Sequence, residues 1–224
     1  MLDRPSPNCG PRRDAARPDM VVLHYTGMAT AAEALDRLCD PAAEVSAHYL
    51  ITETGDLCRL VPEHLRAWHA GAGRWGGVTD VNSRSIGIEL ANPGTHPFPA
   101  PQMAALERLL AGLLSRHAIA PARVIAHSDM APARKSDPGP RFDWCRLARA
   151  GLSVWPRPLP GPHPPLAASL TTIGYDPALP ADLRLAAFRL RFRPWATGPA
   201  CAEDAARAHD LARRFPVDGP AAQA

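Results

Sequence analysis

The sequence has almost no lysine, and other common features are missing as well. Of the 25 lysine and arginine side chains in 224 residues, only Lys135 is a lysine. No stretch approaches the roughly 18 consecutive apolar residues of a membrane helix, so we expect no transmembrane segment. The net charge is only +3, from basic residues spread along the chain. Composition therefore does not nominate a nucleic-acid partner.

The cysteines and the N-terminus bear on the cellular compartment. The five cysteines are scattered and form no CxxC spacing, so we interpret them as free thiols. The first 20 residues lack the apolar run of about 7 to 15 residues that a signal peptide needs. These absences predict a cytoplasmic protein, with a periplasmic or cell-envelope location as the alternative. We expect a monomer.

Short apolar runs predict the strands of an α/β fold. "VVLHYT" (21–26) and "RVIAH" (123–127) are typical of buried strands, and each carries a histidine at or near its end. "VSAHYLI" (45–51) and "SIGIELA" (85–91) alternate with a period of two. In the last of these, the apolar residues are expected to face a core and Glu89 the opposite side.

Helical patterns lie between and after these runs. Thr30 and Glu33 have the spacing of a capping box, and residues 101–117 carry a broad leucine-rich stripe. We therefore expect a mixed central sheet flanked by helices.

A connector of six prolines, "WPRPLPGPHPP" (155–165), predicts a domain boundary. The expected division is a first domain (1–151), a proline-rich linker (152–165) and a small three-helix bundle (166–216). Its helices are predicted at 166–173, 181–193 and 202–214. The second of these carries four arginines, which we interpret as a solvated helical face, with a surface for an anionic polymer as the alternative: Arg184, Arg189, Arg191 and Arg193.

Two histidines and one aspartate suggest a metal site. His24 and His127 lie at or near predicted strand ends, and Asp137 follows His127 by ten residues on a proline-rich loop. Two imidazoles and a carboxylate suit zinc, and three protein ligands would leave a fourth position for water. The spacing alone is also compatible with a solvated pair, and any of the histidines is compatible with a core role.

Five strings, in this order, resemble one family: "VVLHYT", "VSAHYLI", "AWHAG", "SIGIELAN" and "HSDMAPARKSDPGP". The family is the zinc-dependent N-acetylmuramoyl-L-alanine amidases related to peptidoglycan recognition proteins. The match spans residues 20–150. The proline connector and helical tail look like the two-domain members, whose C-terminal bundle resembles a peptidoglycan-binding domain.

The resemblance implies the fold, the substrate and five site residues. Zinc ligands are implied at His24, His127 and Asp137, with catalytic roles for Glu89 and Lys135. The implied reaction is hydrolysis of the amide between N-acetylmuramic acid, or its anhydro form, and L-alanine of the stem peptide, in peptidoglycan turnover or recycling. The partner is thus peptidoglycan or a muropeptide.

The roles implied for Glu89 and Lys135 follow ordinary amide chemistry. Zinc lowers the pKa of bound water, and a glutamate can take its proton and return it to the leaving amine. An ammonium can approach one developing oxyanion as a point charge, whereas the planar guanidinium of arginine favours bidentate partners. This chemistry explains why one lysine is present in a chain that otherwise uses arginine.

The sequence leaves the roles of two histidines and two tryptophans open. His48 and His69 are candidates for substrate binding, with metal-ligand support or packing as the alternative. Trp68 and Trp75 suit either a sugar ring or the core. Competing functions are a recognition protein that binds muropeptides without cutting them, and a thiol hydrolase, for which no motif is present.

Overall fold

The structure is a computed structural model that describes residues 2–158 and 160–218, and its centre is a sheet of six strands. Leu159 of the predicted linker lies outside the described residues. In chain order the strands are β1 (Leu2–Asp3), β2 (Cys9–Pro11), β3 (Met20–Tyr25), β4 (Tyr49–Ile51), β5 (Leu57–Arg59), β6 (Leu65–Ala67), β7 (Ser85–Leu90) and β8 (Val124–Ala126). The sheet order is β1-β5-β4-β7-β3-β8, and β2 pairs separately with β6. Only β4 and β5 are antiparallel within the large sheet, so the predicted mixed sheet is confirmed.

The helices predicted at 101–117 and in the C-terminal tail begin and end close to the expected positions, whereas the short helices at 81–84 and 127–130 were not predicted. In chain order the helices are α1 (Ala31–Cys39), α2 (Val81–Arg84), α3 (Ala100–His117), α4 (His127–Met130), α5 (Trp144–Arg149), α6 (Leu166–Ile173), α7 (Ala181–Phe192) and α8 (Ala202–Arg214). The capping box is confirmed, because Thr30 Oγ1 accepts from the Glu33 amide and Glu33 Oε2 accepts from the Thr30 amide. Among the described residues, no helix has both the length and the apolar character needed to cross a bilayer.

Different helices cover the two faces of the sheet. On one face, α3 packs against alternate residues of the central strands, including Val21, Ile86 and Ile88. On the other face, α1 covers β4 and β5, while the C-terminal helices cover β3 and β8. On this second face, the C-terminal ends of β3 and β7 lie between α1 and the C-terminal helices. His24 and Glu89 therefore line a cleft.

The C-terminal helices share a hydrophobic core with the sheet. Phe188 and Phe192 of α7 belong to the same buried cluster as Val22 of β3 and Ile125 of β8. Burial of apolar area at about 25 cal/mol per Å² is the main stabilising term in such a core. The proline-rich connector therefore joins helices that complete the covering of the sheet.

The expectation of a solvated arginine face on α7 is wrong. Arg184, Arg189 and Arg191 are all less than 10% exposed. Arg189 pairs with Asp204 of α8 at 2.5 Å, and Arg191 pairs with Asp129 at 2.7 Å. The error has a tertiary cause: α7 lies between the sheet and the other helices. Its arginine side chains are therefore buried, and buried charges need ionic partners.

Candidate active site

Two neighbouring parallel strands place His24 and Glu89 side by side. In the register of β3 against β7, His24 is the direct partner of Glu89. Residues in register on parallel strands point to the same face, and here that face is the one opposite α3. The period-two pattern of "SIGIELA" had predicted this orientation of Glu89, and Ile86, Ile88 and Leu90 do lie in the core.

A short helix and a loop bring in the other two predicted ligands. His127 is the first residue of α4, directly after β8, and its side chain is buried. The loop that follows turns back, so that the amide of Ser128 donates to the carbonyl of Asp137 at 3.0 Å. The position of His127 at the end of β8 and the folding back of the loop thus bring residues 127 and 137 together.

His24, His127 and Asp137 converge on one point. Nδ1 of His24 lies 2.9 Å from Nδ1 of His127 and 2.9 Å from Oδ2 of Asp137. Nδ1 of His127 lies 3.0 Å from the same carboxylate oxygen. Residues 113 positions apart in the sequence therefore present three potential ligand atoms to a single small volume.

The hydrogen bonds behind the two rings determine which nitrogens carry protons. Nε2 of His127 donates to the carbonyl of Ala70 at 2.9 Å, which leaves its Nδ1 with a lone pair. Ser85 Oγ donates to a backbone carbonyl and so accepts from Nε2 of His69. Nδ1 of His69 then accepts from Nε2 of His24 at 3.0 Å. His24 therefore also presents a lone pair on Nδ1.

These lone pairs make the site suitable for a cation. Burial, and then the neighbouring His127, lower the pKa of His24 to about 4, so its ring is neutral near pH 7. Two imidazole lone pairs and a carboxylate oxygen repel one another at about 3 Å unless a positive charge lies among them. The donor set fits zinc, and both imidazoles are held from behind, as is usual for metal-ligating histidines.

Glu89 lies in the same cleft with an unusual electrostatic environment. Among the described residues, its buried Oε2 has no hydrogen-bond partner. Burial, and then the charge of Asp137, raise the pKa of Glu89 well above its usual value, while Lys135 opposes the shift. A buried carboxyl group with a raised pKa is typical of the general acids and bases of active sites.

Lys135 and several apolar groups complete the cleft, which has a volume of about 400 Å³. Lys135 is exposed on the loop between His127 and Asp137. The opposite wall comes from α1 and its flanks, with Met28, Ala34 and Leu38. Cleft volumes from about 300 Å³ upward hold small organic ligands.

The structure distinguishes among the remaining histidine and tryptophan candidates. His69 and Trp68 line the cleft, whereas His48 does not. The His48 side chain is fully buried: its Nδ1 accepts from the Gly87 amide and its Nε2 lies 3.1 Å from the carbonyl of Leu65. It has no surface to offer a substrate. Trp75 is likewise in the core, edge-on to Tyr175.

Sequence reasoning missed residues that act through others. Ser85 supports His69, and Arg134 donates to the carbonyls of Ala70 and Ala72 beside His127. A serine at the start of a strand and an arginine in a loop have no distinctive spacing. Ser85 is 16 positions from His69 in the sequence, and Arg134 is at least 62 positions from the carbonyls that it contacts. A local sequence pattern does not show contacts over such separations.

Comparison with known proteins gives relatives along nearly the whole chain. A family model described as N-acetylmuramoyl-L-alanine amidase matches residues 14–140. The N-acetylmuramoyl-L-alanine amidase AmiD of Escherichia coli (strain K12) is 37% identical over 234 residues, covering 89% of this chain and 84% of AmiD. The 1,6-anhydro-N-acetylmuramyl-L-alanine amidase AmpD of Citrobacter freundii is 34% identical over 160 residues, covering 64% of this chain and 86% of AmpD.

Solved structures show the same fold. E. coli AmiD in complex with the substrate anhydro-N-acetylmuramic acid-L-Ala-D-gamma-Glu-L-Lys superposes with a TM-score of 0.78 and 33% identity, covering 95% of this chain and 93% of AmiD. AmpDH3 of Pseudomonas aeruginosa in complex with an anhydromuramic pentapeptide gives a TM-score of 0.80 and 31% identity, covering 95% and 96%. The C-terminal helices are therefore included in both superpositions.

Proposed function

The chain belongs to the N-acetylmuramoyl-L-alanine amidase family, and we propose that its catalytic centre is a zinc ion held by His24, His127 and Asp137. One observation carries this proposal. Three ligand atoms lie within 3.0 Å of one another, and the hydrogen bonds behind the two rings leave lone pairs on both imidazole nitrogens. Without a cation, that arrangement would be repulsive.

The reaction is hydrolysis of the amide between the lactyl group of N-acetylmuramic acid and L-alanine of the stem peptide. When bound, zinc supplies a Lewis acid that lowers the pKa of water and polarises the carbonyl. The ring contacts of His24 and His127 keep both imidazoles oriented toward the site. Their support means that little reorganisation is needed as the metal binds.

Glu89 and Lys135 are proposed to handle the proton and the developing charge. Glu89 takes a proton from the attacking water and delivers it to the departing alanine nitrogen, and its raised pKa favours holding the proton between the two transfers. Lys135, at the mouth of the cleft, stabilises the negative charge that grows on the carbonyl oxygen. These roles require the two side chains to lie on either side of the scissile bond.

We propose that soluble muropeptides, including anhydro forms, are substrates. The AmiD and AmpDH3 complexes both contain anhydromuramic peptides, and these relatives superpose on 95% of this chain. A cleft of about 400 Å³ falls within the range of pockets that hold small organic ligands.

The test is purified protein comprising residues 1–224, incubated with anhydro-muropeptides or with intact peptidoglycan, with and without chelator. Mass spectrometry identifies the bond cleaved, and elemental analysis gives the zinc content. We expect release of the free stem peptide, loss of activity with chelator and recovery when zinc is added back. Full activity in a metal-free preparation would overturn the zinc proposal.

A matched histidine pair tests the position of the metal. His24→Ala should lose zinc and activity together. His64→Ala makes the same chemical change at an exposed histidine outside the cleft and should keep both. Equal zinc content in the two variants would place the metal elsewhere.

We also propose a functional division into an amidase domain (1–151), a linker (152–165) and a peptidoglycan-binding-like three-helix unit (166–216). The division concerns function, because the core is continuous across it.

Trp195 of the helical unit is 62% exposed, and Leu2, at 65%, is the other large exposed apolar residue of the described chain. If the unit binds the cell wall through this ring, Trp195→Ala should weaken sedimentation with sacculi and Leu2→Ala should not. Equal sedimentation would remove Trp195 from the binding surface.

A further inference from the structure

Asp129 lies in the same helical turn as His127. It is the third residue of α4, which His127 begins, and its Oδ2 accepts from the amide of Ala126 at 2.9 Å. The amide of Ala131 donates to the carbonyl of His127 at 3.0 Å. The Asp129 carboxylate thus closes the turn from the N-terminal side and determines how the backbone of His127 leaves β8.

Two residues of the C-terminal helical unit hold this carboxylate. The hydroxyl of Tyr175 donates to Oδ1 of Asp129 at 2.7 Å, and Nη1 of Arg191 donates to Oδ2 at 2.7 Å. All three side chains are at most 3% exposed. Each oxygen of Asp129 therefore has a partner that comes from the far side of the proline-rich connector.

Arg191 connects the turn to the rest of the sheet. Its Nη2 donates to the carbonyl of Val124 at 2.8 Å and to Ser153 Oγ at 3.2 Å. Its guanidinium carbon lies 4.2 Å from the ring centroid of Trp144. The side chain of Arg191 thus contacts the start of β8, the helical turn at the end of β8, and α5. These contacts surround the strand that leads to His127.

A buried carboxylate without partners is costly, and the turn would change to avoid that cost. Removing one member of a buried ion pair leaves an uncompensated charge in a low-dielectric interior. Asp129 would then rotate toward water or admit water, and both changes disturb the contact with the Ala126 amide. His127 follows Ala126 and lies within the turn that this contact closes.

We propose that Arg191 and Tyr175 are positioning residues for the metal site, acting through Asp129 on the turn that presents His127. This inference rests on the proposed zinc site. In this chain the C-terminal helices are thus part of the catalytic architecture, in addition to any role in binding the cell wall.

The experiment measures the zinc dissociation constant of the full chain by competition with a chromophoric chelator. Arg191→Met should weaken zinc binding by up to about tenfold and Tyr175→Phe by less, since both residues act one contact further out than direct partners of a ligand, whose loss typically costs about 10- to 100-fold. Arg191→Lys, which keeps one positive donor for Asp129, should restore part of the affinity. Hydrogen–deuterium exchange should rise selectively at residues 126–131 in both weakened variants.

The matched control is Arg189→Met. Arg189 is on the same helix and forms a buried ion pair with Asp204, but that pair lies within the helical unit. Its loss should lower the unfolding midpoint without changing zinc affinity in the folded protein. Tyr175→Phe removes only a hydroxyl, and its result decides the matter if Arg191→Met does not fold.

Two results would overturn the inference in distinguishable ways. Wild-type zinc affinity in folded Arg191→Met, or in Tyr175→Phe where the methionine variant is unfolded, would refute the positioning role and leave the zinc proposal intact. A wild-type chain that binds no zinc at all would refute the proposed function together with this inference.

Discussion

Nε2 of His24 lies 3.0 Å from Nδ1 of His69, so the group behind one proposed metal ligand is a second imidazole. Burial, and then His24, lower the pKa of His69 well below its usual value, which keeps its ring neutral and able to accept. Ser85 holds the other nitrogen of His69 at 3.1 Å. This chain of contacts sets the tautomer of His24 and gives His69 a supporting role at the floor of the cleft.

A pair of substitutions at His69 separates hydrogen bonding from packing. His69→Gln keeps an oxygen that can accept from His24, whereas His69→Leu has similar bulk and no acceptor. We expect zinc affinity to fall about 10- to 100-fold in the leucine variant and less in the glutamine variant. Chelator competition measures both. Identical affinities in wild type and the two variants would mean that His69 only fills space.

Glu89→Gln should lower kcat by about 10² to 10⁴ while the zinc content stays the same. The amide has nearly the same shape but cannot accept and return a proton. Muropeptide hydrolysis followed by chromatography gives kcat, and elemental analysis gives zinc. The control is Glu44→Gln, the same change at an exposed position outside the cleft. Wild-type turnover in Glu89→Gln would remove the general-base role.

Lys135→Arg should reduce kcat by about 10² to 10³ and leave zinc binding unchanged, because a guanidinium replaces a point charge that must approach one oxygen. Arg149→Lys, the reverse exchange at an exposed site on α5, should have no effect. Steady-state kinetics with one muropeptide measures both variants. Normal turnover in Lys135→Arg would show that any cation at this position suffices.

The stability of the protein should depend on pH through Glu63. Burial alone would raise its pKa, but hydrogen bonds from Arg116, Tyr49 and His117 lower it from 4.5 to about 2. Because the folded-state pKa is below the unfolded one, the stabilisation is present above about pH 4.5 and is lost as the pH falls toward 2. With allowance for solvent screening, its size is about 1 to 2 kcal/mol.

Glu63→Gln tests this linkage by urea unfolding at several pH values. The variant should be less stable than wild type at pH 7, and the difference should shrink between pH 4.5 and 2. Glu44→Gln again provides the exposed control. A difference that does not change with pH would mean that the effect of Glu63 is not electrostatic.

The shared core makes a prediction about cooperativity. Phe188 is fully buried between α7 and the sheet. Phe188→Ala should lower the free energy of unfolding by about 3 to 5 kcal/mol, with one transition seen by every probe. Phe215→Ala, a partly buried residue of the same cluster, should cost less. Two separate transitions in wild type would indicate that the C-terminal helices fold independently.

Local patterns predicted most of the elements correctly, because the features that form them are close in sequence. The capping box of Thr30 and Glu33 and the alternation around Glu89 depend on neighbours within a few residues. The three C-terminal helices were also expected within one residue of their observed ends. The solvated face predicted for α7 was wrong because the partners of its arginines, Asp129 and Asp204, lie 62 and 15 positions away.

By itself, the sequence determined which residues have the chemistry for the site, and in what order. His24, His127, Asp137, Glu89 and Lys135 were candidates from residue type, strand ends and family resemblance. Only the tertiary structure decided that His69 contacts His24, that His48 is buried in the interior, and that Arg191 pairs with Asp129 across the connector. The physical reason is that tautomers, burial and ion pairing depend on atoms brought together from distant parts of the chain, and a linear pattern holds no information on those distances.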